Sequence, residues 1–379
     1  MSSQIAIITH SFLDPTKPIE LNIGGVETWL HELTKLLLLL GLNPIIYQTA
    51  KQDFKIHLNG IEIIGLGGLD RNEMSRLSHL DIDRKKIKWI IYASSFVAEK
   101  HFKTGQIFIQ HGIHWDYTTS REDIWLRLKW EYIRRKLSRH DLLLCKKSRL
   151  TITVDTNFLN YSRIMLRHAF SPDKMRYIPN FAIPQDKLVW QKKWQNPEVI
   201  HIIFARRFES RRGVILFSEA IEQILKIEPN IHVTFAGCGS FDNYVKEKFG
   251  SLTNVTIEII PHEKMYDILN KTHIAVIPTT YSEGTSLSCL EAMASGCAVI
   301  ATDVGGLANL IIPDYNGLLV RPIVKDIITS IIRLIHNQQL AETLANRAFN
   351  MVGTSFSLSI WETRIQHALR EIGVLKSNN

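Results

Sequence analysis

Cysteine is scarce, with Cys145, Cys238, Cys289 and Cys297 the only four in 379 residues. They form no CxxC pair and no zinc-type cluster, which excludes a disulfide-stapled module and predicts a reduced, cytosolic setting. Long apolar runs are missing too. The leucine run at 36–40 is far too short to cross a bilayer, so the expectation is a soluble protein or one peripheral to a membrane. No secretory signal is expected, because Met1-Ser2-Ser3-Gln4 carries no basic segment and leads straight into a strand. Asp81-Ile82-Asp83 has the form of a metal-binding acidic pair, yet Arg84, Lys85 and Lys86 follow at once, a poor neighbourhood for a divalent cation. We read it as a surface loop and expect no metal site.

What is present is a globular composition, 45% hydrophobic and 22% charged, over a chain long enough for two cores. The net charge of +8 is unevenly spread. Residues 1–185 hold 26 basic and 18 acidic side chains, whereas 186–379 hold 19 of each; within 121–149 alone the count is 10 against 4. A localised excess of this kind implies an anionic partner: membrane, nucleic acid or acidic substrate. In the helix expected over 122–139, Leu126, Trp130, Ile133 and Leu137 make a core-facing stripe. Trp125, Leu128 and Tyr132 fall on another face among Arg135 and Arg139. Aromatics among basic residues suit an anionic membrane surface, while a helix buried on two sides with a solvated basic edge fits the same pattern. Nucleic acid is not expected, since no stacking-rich sheet motif accompanies the charge.

Apolar runs at 5–9, 44–47, 89–92, 107–110 and 151–154 alternate with helical stretches, and the pattern restarts at 199–205, 274–278 and 298–302. Such alternation predicts parallel sheets covered on both faces, two of them here. Between them, 178–197 is Pro-containing and poor in strands, the natural hinge.

The second half is organised around 281–296, Tyr-Ser-Glu-Gly-Thr-Ser-Leu-Ser-Cys-Leu-Glu-Ala-Met-Ala-Ser-Gly. Glu283 and Gly284 lie in a loop, Thr285 or Ser286 caps, Leu287, Leu290 and Met293 or Ala294 repeat at helical spacing, and Gly296 ends the helix. A helix start offers unpaired N–H groups and the positive end of its dipole, which suit a phosphate. Glu291 sits roughly 7–8 Å further along the axis, so the two carboxylates are spaced to hold hydroxyls at opposite ends of a diphosphate-linked ligand. A capping box over Ser288 and Glu291 explains the second carboxylate equally well.

Four arginines, Arg206, Arg207, Arg211 and Arg212, crowd into 206–213 after a strand, a composition that suits a polyanion. Gly24 and Gly25 precede a helix with apolar Val26, Trp29, Leu30, Leu33 and Leu37, as either a phosphate-approach loop or a plain turn. Gln110-His111-Gly112 follows a strand, with His114 close behind; Gly237 and Gly239 follow another.

Glu283-x7-Glu291, with Ala-Thr-Asp-Val-Gly-Gly at 301–306 and Asn-Gly-Leu-Leu-Val at 316–320, resembles the retaining glycosyltransferases of family 4. That likeness implies the GT-B fold: two Rossmann-like, doubly wound parallel-sheet α/β domains facing a central cleft. The division expected is 1–184 on the acceptor side, 185–356 for the nucleotide-sugar, and 357–379 a helix returning to the first domain. The implied activity is metal-independent, hexosyltransferase-type transfer, with retention, from a nucleotide-diphosphate sugar to a glycan or lipid-linked acceptor. Cell-surface polysaccharide assembly on the inner face of the membrane is the expected role, with no cofactor. The other reading is a non-catalytic nucleotide-sugar-binding partner of another transferase. By the resemblance, Glu283, His111, Arg207 and Arg212 belong to the catalytic site. Gly24, Gly25, Gly237, Gly284, Thr285, Ser286, Leu287 and Glu291 would bind the donor, and His111 is preferred over His114. The segment 206–213 departs from the family's Gly-Arg-Leu-x-x-x-Lys-Gly in having Arg206 for the glycine and Arg212 for the lysine. Phe181 replaces the glycine of a Pro-Asn-Gly turn.

Overall fold

A computed structural model describes residues 3–375 except 15–16, 22–23, 69, 98–102, 104, 114, 117–123 and 282. His114, Ser282, Glu122 and Asp123 therefore lie outside the described residues. The strands are β1 (Gln4–Ile8), β2 (Leu13–Asp14), β3 (Lys17–Leu21), β4 (Asn43–Ala50), β5 (Phe54–Leu58), β6 (Ile61–Gly67), β7 (Trp89–Tyr92), β8 (Ile107–Gln110), β9 (Leu150–Thr153), β10 (Met175–Tyr177), β11 (Ile200–Ala205), β12 (Ile231–Ala236), β13 (Val255–Glu258), β14 (Ile274–Ile277), β15 (Ala298–Thr302) and β16 (Leu318–Val320).

The chain divides into two units. One takes 1–111, 119–178 and 362–379, the other 112–118 and 179–361. The division thus lies between Ile178 and Pro179, where the sequence pointed to 184/185, and the tail joins the first unit from 362, where it pointed to 357. The shift has a physical cause, because the stretch after Pro179 is built into the second unit. Asn180 N–H donates to Thr285 Oγ1 at 2.8 Å, and Trp190 and Trp194 are buried in that unit's core. Phe181, where a glycine was expected, packs its ring 4.7 Å from that of Trp361.

The first unit carries an eight-stranded sheet in the order β10-β9-β8-β7-β1-β4-β6-β5, parallel except for β5. Its inner strands are nearly continuous apolar runs (Trp-Ile-Ile-Tyr in β7, Ile-Phe-Ile-Gln in β8), as expected where both faces are covered. The helix Gly25–Leu39 buries Trp29, Leu30, Leu33, Leu36 and Leu37. β2 and β3 pair with each other, antiparallel. One expectation is corrected here. Asp81 and Asp83 are not in a surface loop but in the helix Arg71–Arg84; Ile82 between them is buried, and Asp81 accepts from Tyr47 Oη at 2.8 Å and pairs with Lys85 at 2.9 Å.

The second unit carries a six-stranded parallel sheet, β13-β12-β11-β14-β15-β16. Strand order runs outward through β12 and β13 on one side and through β15 and β16 on the other, so it reverses between β11 and β14. Open α/β sheets bind ligands at the carboxyl edge of such a reversal. Beneath it lies an aromatic core of Phe204, Phe208, Phe217, Phe235 and Phe249.

Candidate active site

Loops from the carboxyl ends of β11, β12, β14 and β15 build the site, all within the second unit. Between β14 and the helix Leu287–Ala294, Glu283 is buried at 8% exposure. Three donors converge on its Oε2: Arg206 Nη2 at 2.6 Å, Thr279 Oγ1 at 3.1 Å, and Arg212 Nη1. Arg206 Nη1 also donates to Thr279 Oγ1 at 2.5 Å. Burial alone would push the Glu283 carboxyl up. Arg206 and Arg212 outweigh it and hold the group below the ordinary carboxylate range.

Glycines let these loops close on one another. Gly305 has φ +57°, and a Cβ there would strike the Glu283 backbone; Gly306 lies against Gly284, and its N–H donates to Glu283 O at 2.9 Å. Gly213, at φ +81°, lies under the Pro278 carbonyl, and Thr280 N–H donates to Arg211 O at 3.0 Å, stitching the arginine loop to the end of β14. Gly237 passes beneath the carbonyl of Arg206, and Phe208 N–H donates to Cys238 O at 2.9 Å.

The helix Leu287–Ala294 is fixed at both ends. Ser286 caps it, accepting from Cys289 N–H, and the buried Thr285 holds Asn180 through its hydroxyl and carbonyl. At the far end the half-buried Lys193 donates to Ser295 O at 2.8 Å and Leu269 O at 3.0 Å, while Trp194 Nε1 donates to Gly296 O at 3.1 Å. A cation there satisfies orphan carbonyls and complements the dipole. Glu291, on this helix, has His262 Nδ1 at 3.9 Å, and burial pushes its carboxyl up while His262 pulls it down.

Of the residues singled out from sequence, the structure gathers Glu283, Gly284, Thr285, Ser286, Leu287, Glu291, Arg212 and Gly237 on this one sheet edge. Arg207 is exposed and pairs with no carboxylate among the described residues. Its neighbour Arg206, set aside as a departure from the motif, is the buried partner of Glu283. A signal for this was present: Arg206 directly follows an apolar parallel strand, where a charge is buried and needs a counter-charge. Thr279 and Lys193 were missed as well, since each acts through contacts distant in sequence. In the first unit, Gly24 caps the helix Gly25–Leu39, with Gly25 its first residue. His111 follows β8, half-buried, its ring edge-on to Trp29 at 5.3 Å. Among the described residues no group of three His, Cys, Asp or Glu is placed to hold a metal ion.

Residues 186–351 match the glycosyl transferases group 1 family. Sucrose-phosphate synthase from Thermosynechococcus elongatus superposes with a TM-score of 0.78 at 19% identity, covering 98% of this chain and 99% of that one. HepE from Anabaena, solved in complex with UDP, gives 0.71 at 14% identity over 97% and 99%. One component of the human phosphatidylinositol N-acetylglucosaminyltransferase is 22% identical over 327 residues, 81% of this chain and 64% of that protein. The chain spans less than two thirds of the length of the first curated relatives it matches. Two parallel-sheet α/β units with these neighbours define a GT-B glycosyltransferase fold. The match to the glycosyl transferases group 1 occupies 186–351, the greater part of the second unit.

Proposed function

We propose that the protein is a retaining, family 4-type hexosyltransferase that moves a sugar from a nucleotide-diphosphate donor to a glycan or lipid-linked acceptor. The observation that carries this is the buried Glu283, clasped by Arg212 at the head of the helix Leu287–Ala294 and at the strand-order reversal of the second sheet. The donor's diphosphate lies between Arg207, Arg212 and the N–H groups of 284–287. Two guanidiniums at about 4 Å each supply on the order of 4 kcal/mol at an effective dielectric near 20, before desolvation. Each well-placed N–H donor adds a factor of roughly 10² to 10³ in rate. Glu283 receives the sugar hydroxyls and Glu291 the ribose.

As the bond from the anomeric carbon to the β-phosphate oxygen breaks, the sugar becomes oxocarbenium-like and the guanidiniums take up the charge of the leaving diphosphate. The acceptor hydroxyl bonds to the same face, and its proton passes to the leaving phosphate. Charge compensation by arginine and helix dipole makes a metal ion dispensable.

The helix Ile124–Lys147 supports a peripheral membrane role in cell-surface polysaccharide assembly. It exposes Trp125, Leu128 and Tyr132 among Arg127, Lys129, Arg135 and Arg139. That face suits the inner, anionic surface of a cell membrane. HepE binds UDP, and a uridine donor is the first to try. Thermal shift against UDP-, GDP-, ADP- and dTDP-sugars tests the reading, since a ligand at 100 Kd adds about 2.7 kcal/mol. Stabilisation by none of them refutes it.

A further inference from the structure

We propose that Arg206 is a positioning residue: a resident counter-ion that holds Glu283 through Oε2, so that Arg212 is released to the diphosphate when donor arrives. The proposal rests on the nucleotide-sugar reading above and concerns a residue that stands where the family motif has glycine.

The two arginines on Glu283 are not equivalent. Arg206 is 5% exposed in its side chain, is braced from below by Gly237 against its carbonyl, and shares Thr279 Oγ1 with the carboxylate. Among the described residues it has no other anion to serve. Arg212 is 17% exposed, at the end of the short turn Ser210–Arg212 and beside the left-handed Gly213. One carboxylate needs one counter-charge, and this one has two. Were Arg206 absent, Arg212 would be the sole partner of a buried carboxylate, and turning to a phosphate would leave Glu283 charged and unpaired, which proteins avoid at high cost. With Arg206 in place that penalty disappears. Arg212 can leave, Glu283 stays ionised and oriented, and Oε1 is left to the sugar. Among the described residues, besides these two guanidiniums and the Thr279 hydroxyl, the titratable group facing Glu283 is the buried Cys289, whose thiol is pushed up to about 12 and stays neutral throughout the working range.

The test uses the full chain and its Arg206→Met, Arg206→Lys, Glu283→Gln and Arg206→Met/Glu283→Gln variants. Binding of UDP, GDP, ADP and dTDP is measured by calorimetry at pH 7.5 and pH 5. For the diphosphate that the wild type binds, Arg206→Met weakens binding about tenfold or more at pH 7.5, the cost of one charge-assisted contact, because Arg212 is retained by Glu283. Arg206→Lys recovers part of this loss. Neutralising the carboxylate frees Arg212 again, so Arg206→Met/Glu283→Gln returns to within about threefold of wild type. Lowering the pH to 5 narrows the gap between Arg206→Met and wild type. A folded Arg206→Met that binds the diphosphate like wild type overturns the proposal, and so does a double variant as weak as Arg206→Met. If the wild type binds none of the four diphosphates, the nucleotide-sugar reading itself falls, a separate outcome.

Discussion

Replacing Glu283 by alanine tests the geometry of the site without any substrate. The substitution leaves Arg206, 5% exposed, with Thr279 as its remaining partner, and it leaves Arg212 at a position that water reaches. Stranding one partner of a buried ion pair costs about 3–5 kcal/mol, so nearly all of the loss comes from Arg206. With an unfolding slope of about 2–3 kcal/mol per molar urea, the midpoint falls by roughly 1–2 M. Arg206→Met strands the carboxylate instead and costs a similar amount, eased by Arg212. The double variant strands neither group. Its loss is therefore much smaller than the sum of the singles, with a coupling of about 3 kcal/mol, the top of the range for residues in contact. Urea unfolding followed by the fluorescence of the buried Trp190, Trp194 and Trp361 and by circular dichroism gives the cycle. Additivity within about 0.5 kcal/mol would mean that the two side chains do not interact, and both the site and the role of Arg206 would go with it.

Glu291→Ala should weaken donor binding tenfold or more, by calorimetry, whereas Glu283→Ala mainly lowers turnover, the pattern expected when one carboxylate anchors the ground state and the other the transition state. Transfer activity should persist in excess EDTA; abolition by chelation, with recovery on adding a divalent cation, would contradict charge compensation by arginine. Vesicles containing anionic lipid should sediment the protein at low salt, and Trp125→Ser with Tyr132→Ser should cut the bound fraction severalfold. Asp141, buried and hydrogen-bonded by Gln110 Nε2 at 2.8 Å, has its carboxyl pushed up to about 7 by burial. A raised value in the folded state means its contribution is complete at low pH and is lost as pH rises through about 7. Melting temperature should therefore fall as pH rises from about 4 to about 7, by an amount corresponding to at most about 4 kcal/mol, and level off above; Asp141→Asn should flatten that fall.

The alternation of apolar runs makes both sheets legible, and the glycines and capping serine around Glu283 announce a loop entering a helix. Strands of mixed exposure were harder. In β5 the side chains alternate between partly buried and exposed, and β2 and β3 are short and flank a proline, so neither gives a long apolar run. At the site, sequence identified the carboxylate and the arginine loop, but within that loop it favoured Arg207 over Arg206 because the motif did. Which of two adjacent arginines turns inward depends on the strand register that precedes them. The partner that decides it, Glu283, arrives 77 residues after Arg206. Lys193 was hidden for a similar reason: in a stretch that reads as a hinge, nothing local says that a lysine donates to the carbonyls at two helix ends.

The adjacency of β11 and β14 bears on how this protein tolerates change. Arg206 and Glu283 meet because the strands they follow are hydrogen-bonded neighbours, so the length of chain between those strands is free to vary. An insertion at the exposed turn around Pro229 and Asn230 would lengthen the covalent path between the two side chains without moving either. A single-residue slip of β14 against β11 would part them while leaving every helix intact.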